Sequence, residues 1–218
     1  MFSGGLDSIL STRIMTMEGF EVLALHFYTG FSDSLTRELA RGYGGVWEPA
    51  PEVAEAARRV GARLVPMNVS GEEYLDLIAN PRSGYGSAAN PCIDCRAWLL
   101  SKAREFMEAE GAILVFTGEV VGQRPMSQHK PAMQAVLKRS GLEGRLLRPL
   151  SAKLLEPTIP EREGIVNRDH LFDLHGRSRH PQQELAKRFG IDFYPSSAGG
   201  CLLTDPNFGI KFKDLLVH

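Results

Sequence analysis

Short apolar runs alternate with amphipathic stretches along most of the chain. EVLALHFY (21–28), ARLVPMNV (62–69) and AILVFTG (112–118), followed by GRLLRPL (144–150), are brief and rich in aliphatic residues, which predicts buried strands. Between them, DSILSTRIMTME (7–18), EVAEAARRV (52–60) and CRAWLLSKAREFMEAE (95–110) carry apolar residues at spacings of three and four, which predicts helices. Alternation of the two predicts an α/β fold, an open parallel sheet with helices on both faces. Ligands in such sheets bind beyond the carboxyl ends of the strands. Chemistry is therefore expected in the loops 2–8, 28–50, 117–128 and 148–157. The second of these is rich in glycine and aromatics and has a short helix predicted at SLTRELA (34–40).

After Pro160 the pattern changes. RDHLFDLHG and RSRHPQQELAKRFG read as two short helices, followed by the turn-rich YPSSAGGCLLTDPNFG and a final KFKDLLVH. The expected organisation is an α/β domain over 1–158 and a small C-terminal helical and turn-rich segment over 159–218. A ligand loop at the centre of a parallel sheet normally follows a strand, and only Met1 and Phe2 stand before the glycines of the first loop, so the chain is expected to be truncated at both ends.

Of the 218 residues, 43% are hydrophobic and 23% charged, with a net charge of −1, an ordinary globular composition. Overall charge points to no polyanionic partner, so any basic surface has to be local. No apolar run reaches the roughly 18 residues of a membrane span; a cytoplasmic protein with no membrane partner is expected. Three cysteines, Cys92-x-x-Cys95 and a distant Cys201, cannot all pair, and in a reducing compartment they read as metal-binding or catalytic.

The segment FSGGLDS at 2–8 has the composition of an anion cradle. Backbone N–H groups of a glycine turn at a helix N-terminus favour phosphate, and Ser3 and Ser8 offer hydroxyl donors. Asp7 is informative, because a carboxylate beside a phosphate needs a divalent cation between them. The segment has neither the Gly-Lys-Ser/Thr ending of a Walker loop nor the dinucleotide spacing. PCIDC (91–95) opens a helix and GGC (199–201) lies in a glycine turn. A helix N-terminus lowers a thiol pKa, a setting for reactive or metal-bound thiolate.

SGGLDS, PCIDCR, TGEVVGQRPMSQ, LRPLSAKLL and GGCLLTDP together resemble the PP-loop ATP pyrophosphatase superfamily (adenine nucleotide alpha hydrolase-like fold), and within it the tRNA-thiolating, thiouridylase-like sulfurtransferases. The resemblance covers nearly the whole chain. It implies an enzyme that adenylates a tRNA uridine carbonyl with ATP and replaces the oxygen by sulfur. Ser3, Gly4, Gly5, Leu6, Asp7 and Ser8 would hold the pyrophosphate, Asp7 would bind Mg2+, and Gly118 and Arg124 would lie along the nucleotide. Cys92, Cys95 and Cys201 would hold a 4Fe-4S cluster with one iron free for sulfide. A metal-free persulfide relay and a zinc site stand as alternatives; zinc would want a fourth ligand, for which His129, His175 and His180 are candidates without motif spacing.

Glycine at 118 allows close approach of a nucleotide to the backbone. Arg124 and Gln128 are candidates for phosphate or base. Arg148 and Lys153 flank a strand end where charge develops on the phosphates during adenylation, Lys153 being the preferred catalytic cation. Asp94, between the cysteines, reads either as a catalytic acid or base near the sulfur or as a helix cap. HGRSRHPQQELAKR (175–188) holds four Arg and Lys with two His and is the expected tRNA-facing patch. Sulfide or a sulfur-donor protein is the expected donor. RNA recognition would fall to a further C-terminal region, a homodimer or a partner. The rival functions are sulfur insertion into a small-molecule carboxylate and a non-catalytic nucleotide-binding iron or redox sensor.

Overall fold

The computed structural model describes residues 1–31, 48–194 and 200–217; the helix expected at 34–40 lies outside them. The fold is mixed α/β. Strand β1 (Leu23–Tyr28) pairs in parallel with β2 (Arg63–Asn68), from Leu23 opposite Arg63 to Tyr28 opposite Asn68. Strand β3 (Val115–Phe116) pairs in parallel with β4 (Leu146–Leu147). Each forms within a run whose composition predicts it. Residues 1 and 2 lie between the two pairs: Met1 N is 2.8 Å from Phe116 O, and Phe2 N donates to Leu25 O at 2.7 Å.

Helix α1 (Leu6–Met17) follows the glycine turn, α2 (Pro51–Arg59) precedes β2, and α4 (Cys92–Ala109) precedes β3, as the periodicity predicts. Two further helices, α3 (Glu72–Ala79) and α5 (Lys130–Ser140), fall in stretches without a strong prediction. The boundaries of α5 are nonetheless written locally: Pro131 sits in its first turn, His129 Nδ1 accepts from Ala132 N at 3.3 Å, and Gly141 ends it at φ 68°.

The C-terminal segment departs from expectation at 168–176. Instead of a full helix there is one 3-10 turn, Arg168–His170, and the chain then runs extended. Its backbone is satisfied sideways: Phe172 N donates to Pro149 O, Leu174 N to Leu150 O and Gly176 N to Val121 O, all within 2.8–2.9 Å. Once those donors pair across, a helix has no use for them. A four-residue helix, α6 (Ile159–Arg162), precedes it. Helix α7 (His180–Arg188) forms as predicted, with Pro181 in its first turn. Helix α8 (Pro206–Val217) starts inside the stretch read as turns.

Successive strand residues enter different cores, as period-two geometry requires. Ala24 and Leu147 join α1, Leu171 of the extended segment and Leu185 of α7 in one cluster. Leu25, Val115 and Leu146 join Leu100, Ala103 and Val136 of α4 and α5 in another. A third cluster packs Tyr74, Ile78 and Leu203 beside Cys95 and Cys201. Among the described residues no helix is long and apolar enough to cross a membrane.

One backbone contact fixes α1 against the end of β3. A Cβ built on Gly118 would lie 2.5 Å from the carbonyl carbon of Asp7 and 2.6 Å from Ser8 N. Gly118→Ala should therefore destabilise the fold by about 1–3 kcal/mol, read as a lower unfolding midpoint in denaturant. An unchanged midpoint would mean that the first turn of α1 is free to move.

Candidate functional site

The turn at 3–5 is closed by its own serines. Gly4 takes φ 76°, a left-handed conformation that glycine adopts without penalty. Ser8 Oγ donates to Gly5 O at 2.8 Å, Ser3 Oγ lies 3.2 Å from Ser8 Oγ, and Gly5 N donates to Ser3 Oγ at 3.3 Å. The serines expected to donate to an anion are thus spent on shaping the loop. What remains is backbone: α1 has no side-chain cap, and the N–H groups of Gly4, Leu6, Asp7 and Ser8 have no hydrogen-bond partner among the described residues. The side chain of Leu6 is buried in the core, so its contribution here is its N–H. Four donors at a helix N-terminus form an anion cradle.

Asp7 faces the same region with one oxygen engaged. Gln123 Nε2 donates to Oδ2 at 2.9 Å, while Oδ1 is buried with no partner. A carboxylate oxygen without a donor can ligate a divalent cation, provided an anion shares the turn to offset the positive N–H groups. The close approach that Gly118 permits is taken up, on its Cβ side, by the backbone of Asp7 and Ser8 rather than left open for a nucleotide.

Glu119, which the sequence did not single out, is the electrostatic centre. It is 2% exposed, and its Oε2 accepts from Arg148 Nε at 2.9 Å and Thr117 Oγ1 at 3.2 Å. Arg96 Nε lies 3.1 Å from Oε1, close enough for an ion pair but outside hydrogen-bonding geometry. Burial pushes the Glu119 carboxyl up, but the charges of Arg96 and Arg148 and the bonds from Arg148 and Thr117 outweigh it and hold the carboxyl below its ordinary value. Arg148 keeps a second nitrogen, Nη2, buried and unpaired. A polar residue directly after a buried strand run was the only sequence signal for this group.

The three cysteines are free, and each has a neighbouring donor. Tyr74 Oη lies 3.2 Å from Cys95 Sγ. Asn90 Nδ2 donates to Cys92 Sγ at 3.2 Å. The backbone N–H of Leu203 stabilises the Cys201 thiolate. Cys92 and Cys95 share one face of the first turn of α4. At Cys95 and Cys201 the thiol moves opposite to the expected lowering. Burial pushes the Cys95 thiol up despite Tyr74 and Arg96, and pushes Cys201 up to about 11 despite Leu203 and Arg124, with the other two cysteines adding to the rise. Burial also drives the Tyr74 hydroxyl far above its usual range, with Cys95 contributing; it stays protonated and able to donate.

The 117–128 loop reaches both groups. At one end Gln123 holds Asp7; further on, Met126 Sδ is 3.4 Å from Asn90 Nδ2, the donor to Cys92, and exposed Arg124 acts electrostatically on Cys201. Gln128 is buried.

Other expected residues have structural partners. Asp94 is 6% exposed, with Oδ2 accepting from Ser83 N at 2.8 Å and Oδ1 from Arg139 Nη1 at 2.9 Å. It braces α4 against α5 with both oxygens occupied and does not cap α4, whose N-cap is Pro91 without a side-chain cap bond. Lys153 is exposed and donates to Asp169 O at 2.9 Å, whereas Arg148 is the buried cation of that loop. His129 caps α5, His175 sits against Asp173 O, and exposed His180 is 3.9 Å from Glu184. Among the described residues no three His, Cys, Asp or Glu are grouped to hold a metal ion. No protein-family model matches the chain, and no curated protein matches it.

The depressed Glu119 carboxyl makes a signed prediction. A carboxyl held below its ordinary value stabilises the fold above that value, 4.5, and the contribution is lost as pH falls through the folded pKa. Glu119→Gln should cost about 3–5 kcal/mol at neutral pH, since Arg148 would be left buried and unpaired. Urea unfolding from pH 7 downward should show the gap between variant and wild type closing below pH 4.5. A gap that does not depend on pH would contradict the assignment.

Proposed function

We propose that the chain is an ATP-dependent sulfurtransferase of the PP-loop type, acting on a uridine of tRNA. In this reading the two strand pairs and residues 1–2 form one open parallel sheet, in the order β2-β1-(1–2)-β3-β4, with the loop at its centre. The observation that carries the function is the 117–128 segment, which touches Asp7 through Gln123 and the Asn90–Cys92 pair through Met126. Adenylation of the oxygen and delivery of sulfur to the carbon must act on one carbonyl group, and this segment would give them a shared wall.

The residues divide the chemistry. Free N–H groups of Gly4, Leu6, Asp7 and Ser8 would bind the pyrophosphate end of ATP, and Asp7 Oδ1 would take Mg2+. The buried Arg148 guanidinium, oriented by Glu119, is the fixed cation best suited to negative charge developing on phosphate. The uridine oxygen attacks the α-phosphorus and pyrophosphate leaves. Hydrosulfide then adds to the activated carbon, and AMP departs with the former carbonyl oxygen.

For the sulfur carrier, three thiols with separate donors fit a 4Fe-4S cluster, which would hold the sulfide on its free iron. Cys92, Cys95 and Cys201 would be its protein ligands, and the cluster would supply the open iron. The raised thiols of Cys95 and Cys201 favour metal ligation, which deprotonates a thiol outright, over a relay needing free thiolate at neutral pH.

Anaerobic reconstitution with iron and sulfide tests this. The wild type should hold about four irons per chain, and Cys92→Ala, Cys95→Ala and Cys201→Ala should each lose the cluster and tRNA thiolation while still binding ATP. Full thiolation by Cys201→Ala would rule the cluster out.

A further inference from the structure

Asp7 is held by a relay that begins on the helix of the expected tRNA-facing patch. Gln123 Nε2 donates to Asp7 Oδ2 at 2.9 Å, and Gln182 Nε2 reaches Gln123 Oε1 at 3.4 Å. Gln182 is 1% exposed, lies on the inner face of α7, and its own Oε1 is buried without a partner. Burying a primary amide with half its capacity unused is costly, and packing alone would be served by the leucine found three residues on, at 185.

The outer side of α7 and the turn before it have a different character. Arg177 and Arg188 are exposed and make no ion pair among the described residues, His180 is exposed, and Arg179 Nε is buried without a partner among them. Lys187 is paired to Glu184 at 2.8 Å. The same segment is tied to the site's frame: Gly176 N donates to Val121 O, one residue before Gly122 and two before Gln123, and Ser151 Oγ bridges Val121 N and Leu174 O. These bonds link α7 and the turn before it to Gln123, and through it to Asp7.

Resting on the tRNA reading above, we propose that Gln182 and Gln123 are positioning residues that couple polyanion binding on α7 to divalent-cation binding at Asp7. With Oδ2 fixed by Gln123, Oδ1 is presented to the cation. Phosphates seated on Arg177, Arg179 and Arg188 steady α7 and hold the relay closed. Coupling of this kind is reciprocal: RNA tightens the cation, and the cation tightens RNA by the same factor. The enzyme would then be poised for adenylation only when RNA is docked.

The test measures Mn2+ binding by electron paramagnetic resonance in the presence of a non-hydrolysable ATP analogue, with and without unfractionated tRNA. In the wild type, tRNA should tighten Mn2+ by about fivefold or more. Gln182→Leu should weaken Mn2+ by about tenfold and abolish the tRNA effect, with tRNA affinity in the absence of Mn2+ unchanged. Gln182→Met, which keeps the length of the side chain without the amide donor, should behave as Gln182→Leu does and covers the case in which the leucine variant misfolds. A wild type that binds Mn2+ with the analogue but is indifferent to tRNA overturns the coupling, as does a tRNA effect preserved in both variants. A wild type that binds no Mn2+ even with the analogue overturns the nucleotide reading itself.

Discussion

At Gly118 the backbone leaving β3 meets the backbone of Asp7 and Ser8 with no room for a side-chain carbon. That contact sets where the loop at residues 3–8 sits relative to the strand ends, and it is made before any side chain takes part. From the same point the chain continues into Glu119, Gln123, Arg124 and Met126, which meet respectively Arg148 and Arg96, Asp7, the field of Cys201 and the donor to Cys92. Packing one glycine onto one helix turn therefore places an anion cradle and a thiol group along a single segment.

Charge is distributed around that segment in keeping with burial. Glu119 is tolerated in the interior because Arg96 and Arg148 flank it, and the arginines are oriented by it in turn. Buried ion pairs add little net stability, so the physical return is geometry: Arg148 keeps one nitrogen unpaired and fixed in direction. The thiols follow the opposite rule. Without a cation strong enough to offset burial, Cys95 and Cys201 are held protonated.

Features governed by neighbours in sequence were legible before the structure. Strands β1 to β4, helices α1, α2, α4 and α7, the glycine turn with Asp7, and the Cys92–Cys95 pair at the start of α4 all follow from spacing and local chemistry. Contacts between distant residues were not. Gln123 and Asp7 are 116 positions apart, Arg148 and Glu119 are 29 apart, and Tyr74 and Cys95 are 21 apart. Spacing also fails to give side-chain direction: Lys153 and Asp94 stand next to the right residues in sequence, yet one turns to Asp169 O and the other to Ser83 and Arg139. The extended run at 171–176 was mistaken for helix because its pairing partners at 121, 149 and 150 are remote.

Release of pyrophosphate from MgATP, followed with and without tRNA and with hydrosulfide present, tests the central claim most directly. The account predicts release that depends on tRNA, with one AMP and one thiolated uridine formed per pyrophosphate. Release of orthophosphate instead, or pyrophosphate formation at the same rate without tRNA, would contradict it.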